Sequence, residues 1–178
     1  KVDPGPIDSS FNNNLLTESK EVLSIRMDRI ADDFLPFDVT VSCFGETVAL
    51  PLFTGEIVEV SLSHGVEWDR RFGAQHNSSV MHLFSLSLVG KLLSTFLKRN
   101  DDDALRIAVV VLESFLIYSS VSDNQVRIGR IPSGDHSAAT RVKVLIKFIQ
   151  VMRERRDIDY PLLERVCDCL KYWSDWLA

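Results

Sequence analysis

The sequence predicts a mainly α-helical protein in which long helices pair as antiparallel hairpins, with a small β region near residues 38–62. Two observations lead to this fold class. From residue 77 onward, apolar residues recur at three- and four-residue spacing over long segments that are mostly separated by short polar links. Between residues 38 and 62 the chain is instead rich in Val, Thr and Phe, and turn-forming pairs interrupt it.

The N-terminal third divides into two parts. Residues 1–16 are rich in Pro, Gly, Ser and Asn, which predicts a tail or linker. Residues 17–63 contain a helical pattern from about residue 17 to residue 33, followed by two or three short strands near 39–43, 47–50 and 57–62. Pro51 restricts its neighbourhood to a sheet edge, because proline cannot donate a ladder hydrogen bond.

Residues 64–178 are predicted to form one helical domain that is truncated at its C-terminus. Its four helices each begin at a residue whose side chain can cap the free N–H groups of a first turn. The expected starts are Asn77 or Ser78, Asn100 or Asp101, Ser133 or Asp135, and Asp159 followed by Pro161. The expected ends are near Lys98, Tyr118, Arg155 and the last residue, and residues 119–132 are the one long link.

The bulk composition excludes some function classes. A length of 178 residues predicts one domain, with room for a small additional part. The net charge of −5 argues against a general nucleic-acid-binding protein. No run reaches the roughly eighteen apolar residues of a membrane span. Cofactor and metal sites are not expected, because Gly-rich phosphate loops and zinc-ligand spacings are absent from the sequence. The three cysteines are predicted to be buried free thiols.

The third predicted helix carries a cation on its apolar side. Arg141 falls inside the apolar stripe, whereas His136, Thr140, Lys143 and Lys147 fall on the opposite side. A buried arginine needs a partner. Arg141 is therefore expected either to form an ion pair with a carboxylate or to line a cleft and bind an anionic ligand. His136 is expected to face solvent, and Asp135 to act as an N-cap.

A second group of unusual polar residues precedes the first predicted helix. Residues 66–80 contain Trp68, Arg70, Arg71, His76 and Asn77, in a loop that leads into a largely apolar helix. An aromatic ring with guanidinium groups suits an acidic sugar. Trp68 could equally fill the space between the sheet and the helices. Inside that helix, His82 lies on the apolar arc and is predicted to be a hydrogen-bonded core histidine.

Three stretches resemble a known family: "WDRRFGAQHNSSVMHLFSLSLVGKLL", "DHSAATRVKVLIKFIQVM" and "IDYPLLERVCDCLKYWSDWLA". Together they are similar to the N-terminal helical part of heparinase II/III-like polysaccharide lyases, of the chondroitin AC/alginate lyase type. The resemblance covers roughly residues 64–178, and "DHSAATR" is its most specific motif. It implies that the helical hairpins belong to an incomplete (α/α) toroid, which a β-rich domain follows.

The resemblance also implies a function. Such lyases cleave uronate-containing polysaccharides by β-elimination, and their catalytic Asn usually follows a helix like the one that ends "YWSDWLA", where this chain stops. The expectation is therefore an N-terminal lyase fragment, inactive alone and prone to self-association, that forms part of an acidic-polysaccharide cleft. The alternative is a non-catalytic helical module that binds a protein or a glycan. The expected substrate-binding residues are Trp68, Arg70, Arg71, His76, Asn77, Asp135, His136 and Arg141.

Overall fold

A computed structural model describes residues 43–44, 46–131, 134–155 and 159–178. The predicted tail at 1–16, the predicted helix at 17–33 and most of the first predicted strand lie outside the described residues. The same holds for Ser133, one of the two caps proposed for the third predicted helix.

The described part of the chain is mainly helical, as predicted. Its six helices are α1 (His76–Phe84), α2 (Ser87–Arg99), α3 (Asp102–Ser119), α4 (Ser122–Gly129), α5 (Gly134–Glu154) and α6 (Tyr160–Leu177). The pairs α2–α3 and α5–α6 pack extensively and are joined by short links, so each pair is an antiparallel hairpin. The hairpins contact each other through α2 with α5 and α3 with α6. The described helices do not by themselves show a toroid.

Two of the predicted N-caps are observed. The Asp101 side chain accepts a hydrogen bond from the Ala104 backbone N–H at 3.1 Å, and Asp159 accepts one from Leu162 N–H at 3.0 Å. Pro161 occupies the first turn of α6, where its missing N–H costs no intrahelical hydrogen bond. Cap residues followed by apolar periodicity were therefore sufficient to locate α3 and α6.

The helix predicted from Asn77 or Ser78 to about Lys98 is in fact two helices. The chain breaks after Phe84, Leu86 adopts a left-handed conformation with φ 59°, and α1 and α2 meet at a bend of 55°. The hydroxyl groups of Ser85 and Ser87 both donate to the His82 carbonyl oxygen, at 2.9 and 2.8 Å. Serine hydroxyls compete with helical hydrogen bonds in this way, and the fully buried Leu86 side chain stabilises the turn.

The link at 119–132, predicted to be a loop, contains the short helix α4. None of the described helices is by itself long and apolar enough to cross a bilayer. The bent pairs α1–α2 and α3–α4 reach the required length and apolarity only when each pair is taken together.

The β region is a four-stranded antiparallel sheet in the order β1 (Cys43–Phe44), β2 (Thr47–Pro51), β3 (Ile57–Ser61) and β4 (Gly65–Val66). The strands predicted at 47–50 and 57–62 are confirmed, whereas the two-residue β4 was too short to predict. Alternate residues of β2 and β3 face the core, and the buried members are Val48, Leu50, Val58 and Val60. One face of the sheet therefore packs inside the protein, and β4 contacts α3.

Two predictions of exposure are wrong. Lys147 was expected on the polar side of α5, but it is 3% exposed and its Nζ donates to Ser94 Oγ of α2 at 2.7 Å. The reason is that α5 packs this side against α2, where the Ser94 hydroxyl accepts the hydrogen bond. Cys167 was expected to be buried, but it is exposed. Cys169 is half-buried and, like Cys167, free, while the Cys43 side chain lies outside the described residues.

Candidate functional site

Arg141 lies in the helical core, as its position in the apolar stripe predicted. Its side chain is 1% exposed, and its Nε donates to the carbonyl oxygen of Phe84, the last residue of α1, at 2.8 Å. Its guanidinium lies 3.9 Å from the ring centre of Trp173 and 5.5 Å from that of Phe115. Within the described residues no carboxylate pairs with it, so two aromatic rings and a helix-terminal carbonyl take the place of the carboxylate that one of its two expected roles required.

This environment makes Arg141 a structural cation. Burial lowers the pKa of Arg141 to about 10, an effect that Cys169 and Tyr172 nearby partly oppose. The same burial raises the pKa of the Cys169 thiol to about 11, against the effect of the Arg141 charge. Because the guanidinium is covered by protein, it connects α1, α3, α5 and α6 and does not line an open cleft.

Trp68 fills the space between the sheet and the helices, which is one of its two predicted roles. It is 5% exposed and packs against Phe84, Phe115 and Tyr118, with ring centres 5.3 to 6.1 Å apart. Its indole N–H donates to Ser114 Oγ on α3 at 3.2 Å. Trp68 therefore fixes the segment that follows β4 but offers no ring face to a ligand.

The two arginines that follow Trp68 reach the surface and share one cavity. This cavity has a volume of about 580 Å³ and lies beside β3 and β4. His64, Arg70 and Arg71 contribute its basic groups. The remaining lining residues are hydroxyl-bearing, acidic or small: Thr47, Ser61, Glu59, Glu67, Gly65 and Val66. We name this space, with its nine lining residues, the sheet-side cavity.

Local contacts hold two basic groups of the sheet-side cavity, Arg70 and His64, in place. The Arg70 guanidinium lies 5.1 Å from the ring centre of Phe72. The Phe72 backbone N–H donates to His76 Nδ1 at 3.2 Å, which closes the turn between the arginines and α1. His64 Nδ1 lies 2.9 Å from Ser63 Oγ. His76, predicted to bind substrate, thus fixes the loop that carries Arg70 and Arg71.

The other predicted residues lie elsewhere on the surface. Asn77 is exposed in the first turn of α1, and the N-cap of this helix is Gln75, not Asn77 or Ser78 as predicted. Asp135 and His136 are exposed in the first turn of α5. Because α5 begins at Gly134, Asp135 lies inside the helix and is not its N-cap.

His82 is half-buried, and its ring centre lies 5.5 Å from that of Phe53. Burial lowers the pKa of His82, and the positive charges of Lys91 and His136 lower it further. The folded protein therefore favours the neutral imidazole more strongly than the unfolded chain does.

The free energy of unfolding should therefore decrease as the pH falls through the ordinary histidine range, because His82 binds a proton more readily in the unfolded chain than in the folded protein. Urea unfolding at about pH 7.5 and about pH 5 measures this loss, because the two values bracket the ordinary histidine pKa. His82→Gln should make the loss smaller than in the wild-type protein. An identical loss in both proteins would contradict the assignment to His82.

A second cavity was not predicted from the sequence. It has a volume of about 370 Å³ and lies between α6 and the end of α3, where α4 begins. Its lining residues are Leu116, Ile117, Ser119, Ser120, Gln125, Arg165, Asp168, Cys169, Tyr172 and Trp173. The sequence did not predict this cavity, because residues 119–132 were expected to form a loop and the helix that places Gln125 opposite α6 was not expected. We name this space the α3–α6 groove.

No protein-family model matches the chain, and neither the curated proteins nor the solved structures contain a match. Within the described ranges, no three or more His, Cys, Asp or Glu side chains are grouped so that they could hold a metal ion. The lyase resemblance thus stays a prediction, and the geometry of the two cavities is the basis for the function proposed below.

Proposed function

We propose that the chain is a non-catalytic helical module that binds acidic oligosaccharides in the sheet-side cavity. The observation that supports this function is the convergence of His64, Arg70 and Arg71 on one open cavity. Arginine suits carboxylate and sulfate groups, because its planar guanidinium donates two parallel hydrogen bonds to two oxygens. A uronate or a sulfated sugar presents such groups.

The other lining residues favour a sugar over a small inorganic anion. The hydroxyl groups of Thr47 and Ser61 and the carboxylates of Glu59 and Glu67 can exchange hydrogen bonds with sugar hydroxyl groups. The two glutamates also repel ligands that carry many negative charges close together. We therefore expect the cavity to prefer a single uronate or sulfate flanked by neutral hydroxyl groups.

The protein holds the cavity wall before a ligand arrives. Trp68 is buried on one side of the two arginines, and the Phe72–His76 hydrogen bond closes the turn on the other side. Ordering a loop on binding costs free energy, so a loop that is already fixed preserves affinity. In this proposal Trp68 and His76 would support the two arginines and would not contact the sugar themselves.

Isothermal titration calorimetry with a uronate-containing disaccharide tests the proposal. Arg70→Gln and Arg71→Gln should each weaken binding about tenfold or more, because each removes charge-assisted hydrogen bonds worth about 1.5–3 kcal/mol. The matched control is Arg106→Gln, which removes an exposed arginine of α3 that pairs with Asp103. Equal affinity of all four proteins, or no binding by the wild-type protein, would refute the proposal.

The N-terminal lyase fragment is the second candidate, favoured by the two antiparallel helical hairpins that a toroid would require. On this hypothesis the isolated chain should generate no unsaturated uronate from heparan sulfate, chondroitin or alginate, because the catalytic Asn that the resemblance implies matches none of the described residues. Ultraviolet absorbance of the unsaturated product measures this directly. Product that increases in proportion to the concentration of this chain would overturn the expectation of inactivity.

A further inference from the structure

We propose that the exposed side of α6 that borders the α3–α6 groove is a two-fold interface at which the chain pairs with a second copy of itself. The interface is built on four exposed residues, Pro161, Arg165, Asp168 and Tyr172, which we name the α6 stripe. This inference does not depend on the glycan site, which lies on the sheet and not on α6.

The four residues share one side of the helix. They are spaced by four, three and four residues, which places them in a single row along an α-helix. The neighbouring side of α6, about 100° around the helix axis, packs into the core through Leu162, Val166 and Trp173. All four residues of the α6 stripe are exposed, and Arg165, Asp168 and Tyr172 also line the α3–α6 groove.

Apolar surface accompanies the α6 stripe. Tyr172 is 41% exposed, and Ile117, which faces it across the groove, is 65% exposed. Val121, which follows the groove residue Ser120, and Trp176, four residues after Tyr172 on α6, are also exposed large apolar residues. Exposed apolar side chains that cluster around a concave surface are typical of protein interfaces.

The order of the charges on the α6 stripe identifies a second copy as the partner. In an antiparallel pair of α6 helices, a two-fold axis between positions 166 and 167 places Arg165 opposite Asp168 of the copy, and Asp168 opposite Arg165. The same axis places Tyr172 opposite Pro161 of the copy. One register therefore forms the Arg165–Asp168 ion pair twice and the Tyr172–Pro161 contact twice, which is the self-complementarity that a two-fold interface requires.

The Arg165 side chain is already positioned for this contact. Its Nη2 donates to Glu113 Oε1 of α3 at 2.8 Å, which holds the guanidinium at the groove. A guanidinium has five N–H donors, so Arg165 can keep this bond and also donate to Asp168 of the copy. The glutamate therefore orders the arginine before association.

Sedimentation velocity of the 178-residue chain, over a range of concentrations, tests the interface. The wild-type chain should sediment as a concentration-dependent dimer. Asp168→Arg should weaken the dimer at least tenfold, because it places two arginines opposite each other twice. The charge swap Arg165→Asp with Asp168→Arg, made in a Glu113→Gln background so that the Glu113 carboxylate does not repel the new acidic group, should restore dimerisation, because the opposite charges then meet again in the same register.

Glu164→Arg is the matched control, since it makes the same change in charge on an exposed residue of α6 outside the stripe. It should leave the dimer intact, and circular dichroism should show that all variants are folded. A wild-type chain that stays monomeric at every concentration would overturn the proposal. So would an Asp168→Arg variant that dimerises as strongly as the wild-type chain, or a charge swap that fails to restore the dimer.

Discussion

Gly65→Ala is expected to lower the free energy of unfolding by about 3 kcal/mol or more, one of the two largest effects that we predict. Gly65 has a φ of +78°, a left-handed conformation that residues with a Cβ adopt at a cost of about 1–2 kcal/mol. In addition, a Cβ at this position would overlap the side chain of Ser114 on α3. The substitution therefore strains the backbone and pushes β4 away from the helix.

Gly55→Ala is the matched control for the backbone strain. Gly55 has a φ of +84°, but a Cβ there would meet no atom within 4 Å. It should cost only the left-handed strain, about 1–2 kcal/mol. Chemical denaturation of both variants measures the difference, which isolates the overlap with Ser114. Gly65→Ala should also cost less in a Ser114→Gly background, and equal costs in both backgrounds would contradict the assigned clash.

Arg141→Ala is expected to have the other large effect, a loss of about 3 kcal/mol. The substitution leaves a cavity between the rings of Trp173 and Phe115. It removes a desolvated cation–π contact, worth about 2 kcal/mol. It also leaves the Phe84 carbonyl at the end of α1 without its Arg141 donor. These losses outweigh the relief of the desolvation cost that lowers the pKa of Arg141.

Two further variants help to interpret Arg141→Ala. One separates the contribution of side-chain volume from that of the buried charge, and the other is a surface control on the same helix. Arg141→Met keeps most of the volume and removes the buried charge, so it should lose less stability than Arg141→Ala. His136→Ala, an exposed substitution on the same helix, should cost less than about 0.5 kcal/mol. Urea denaturation of the three variants measures the order. Equal, small effects from Arg141→Ala and His136→Ala would contradict the burial of Arg141.

Helical periodicity was the most informative feature of the sequence. It placed Arg141 in the core and His136 on the surface, because the apolar stripe of α5 is long and nearly unbroken. Periodicity gave the wrong exposure for Lys147, because the polar side of α5 packs against α2, where Ser94 accepts a hydrogen bond from Lys147. The periodicity of one helix does not show which other helix packs against it.

The break between α1 and α2 shows a second limit. Ser85 and Ser87 are compatible with a continuous helix, and the bend accompanies their hydrogen bonds to the His82 carbonyl oxygen and the burial of Leu86. That bend creates the free Phe84 carbonyl to which Arg141 donates, so the partner of the arginine could not be predicted before the bend was known. A carboxylate was the reasonable expectation from charge alone.

The sheet-side cavity was predictable only in part. The sequence singled out the segment with Arg70 and Arg71, because guanidinium groups next to an aromatic ring are unusual in a loop. It did not predict that His64 lines the cavity, because only the pairing of β3 with β4 brings the turn that carries His64 close to the two arginines. It also left two roles open for Trp68, which burial beside Phe84 and Phe115 resolves.

Nuclear magnetic resonance titration detects, residue by residue, whether the sheet-side cavity binds an acidic sugar. A glucuronate-containing disaccharide should shift the Arg70 and Arg71 side-chain N–H signals and the backbone signals of His64 and Gly65. Signals of Arg165 and Tyr172 in the α3–α6 groove should not move. Shifts confined to the groove, or none at saturating disaccharide, would contradict the claim.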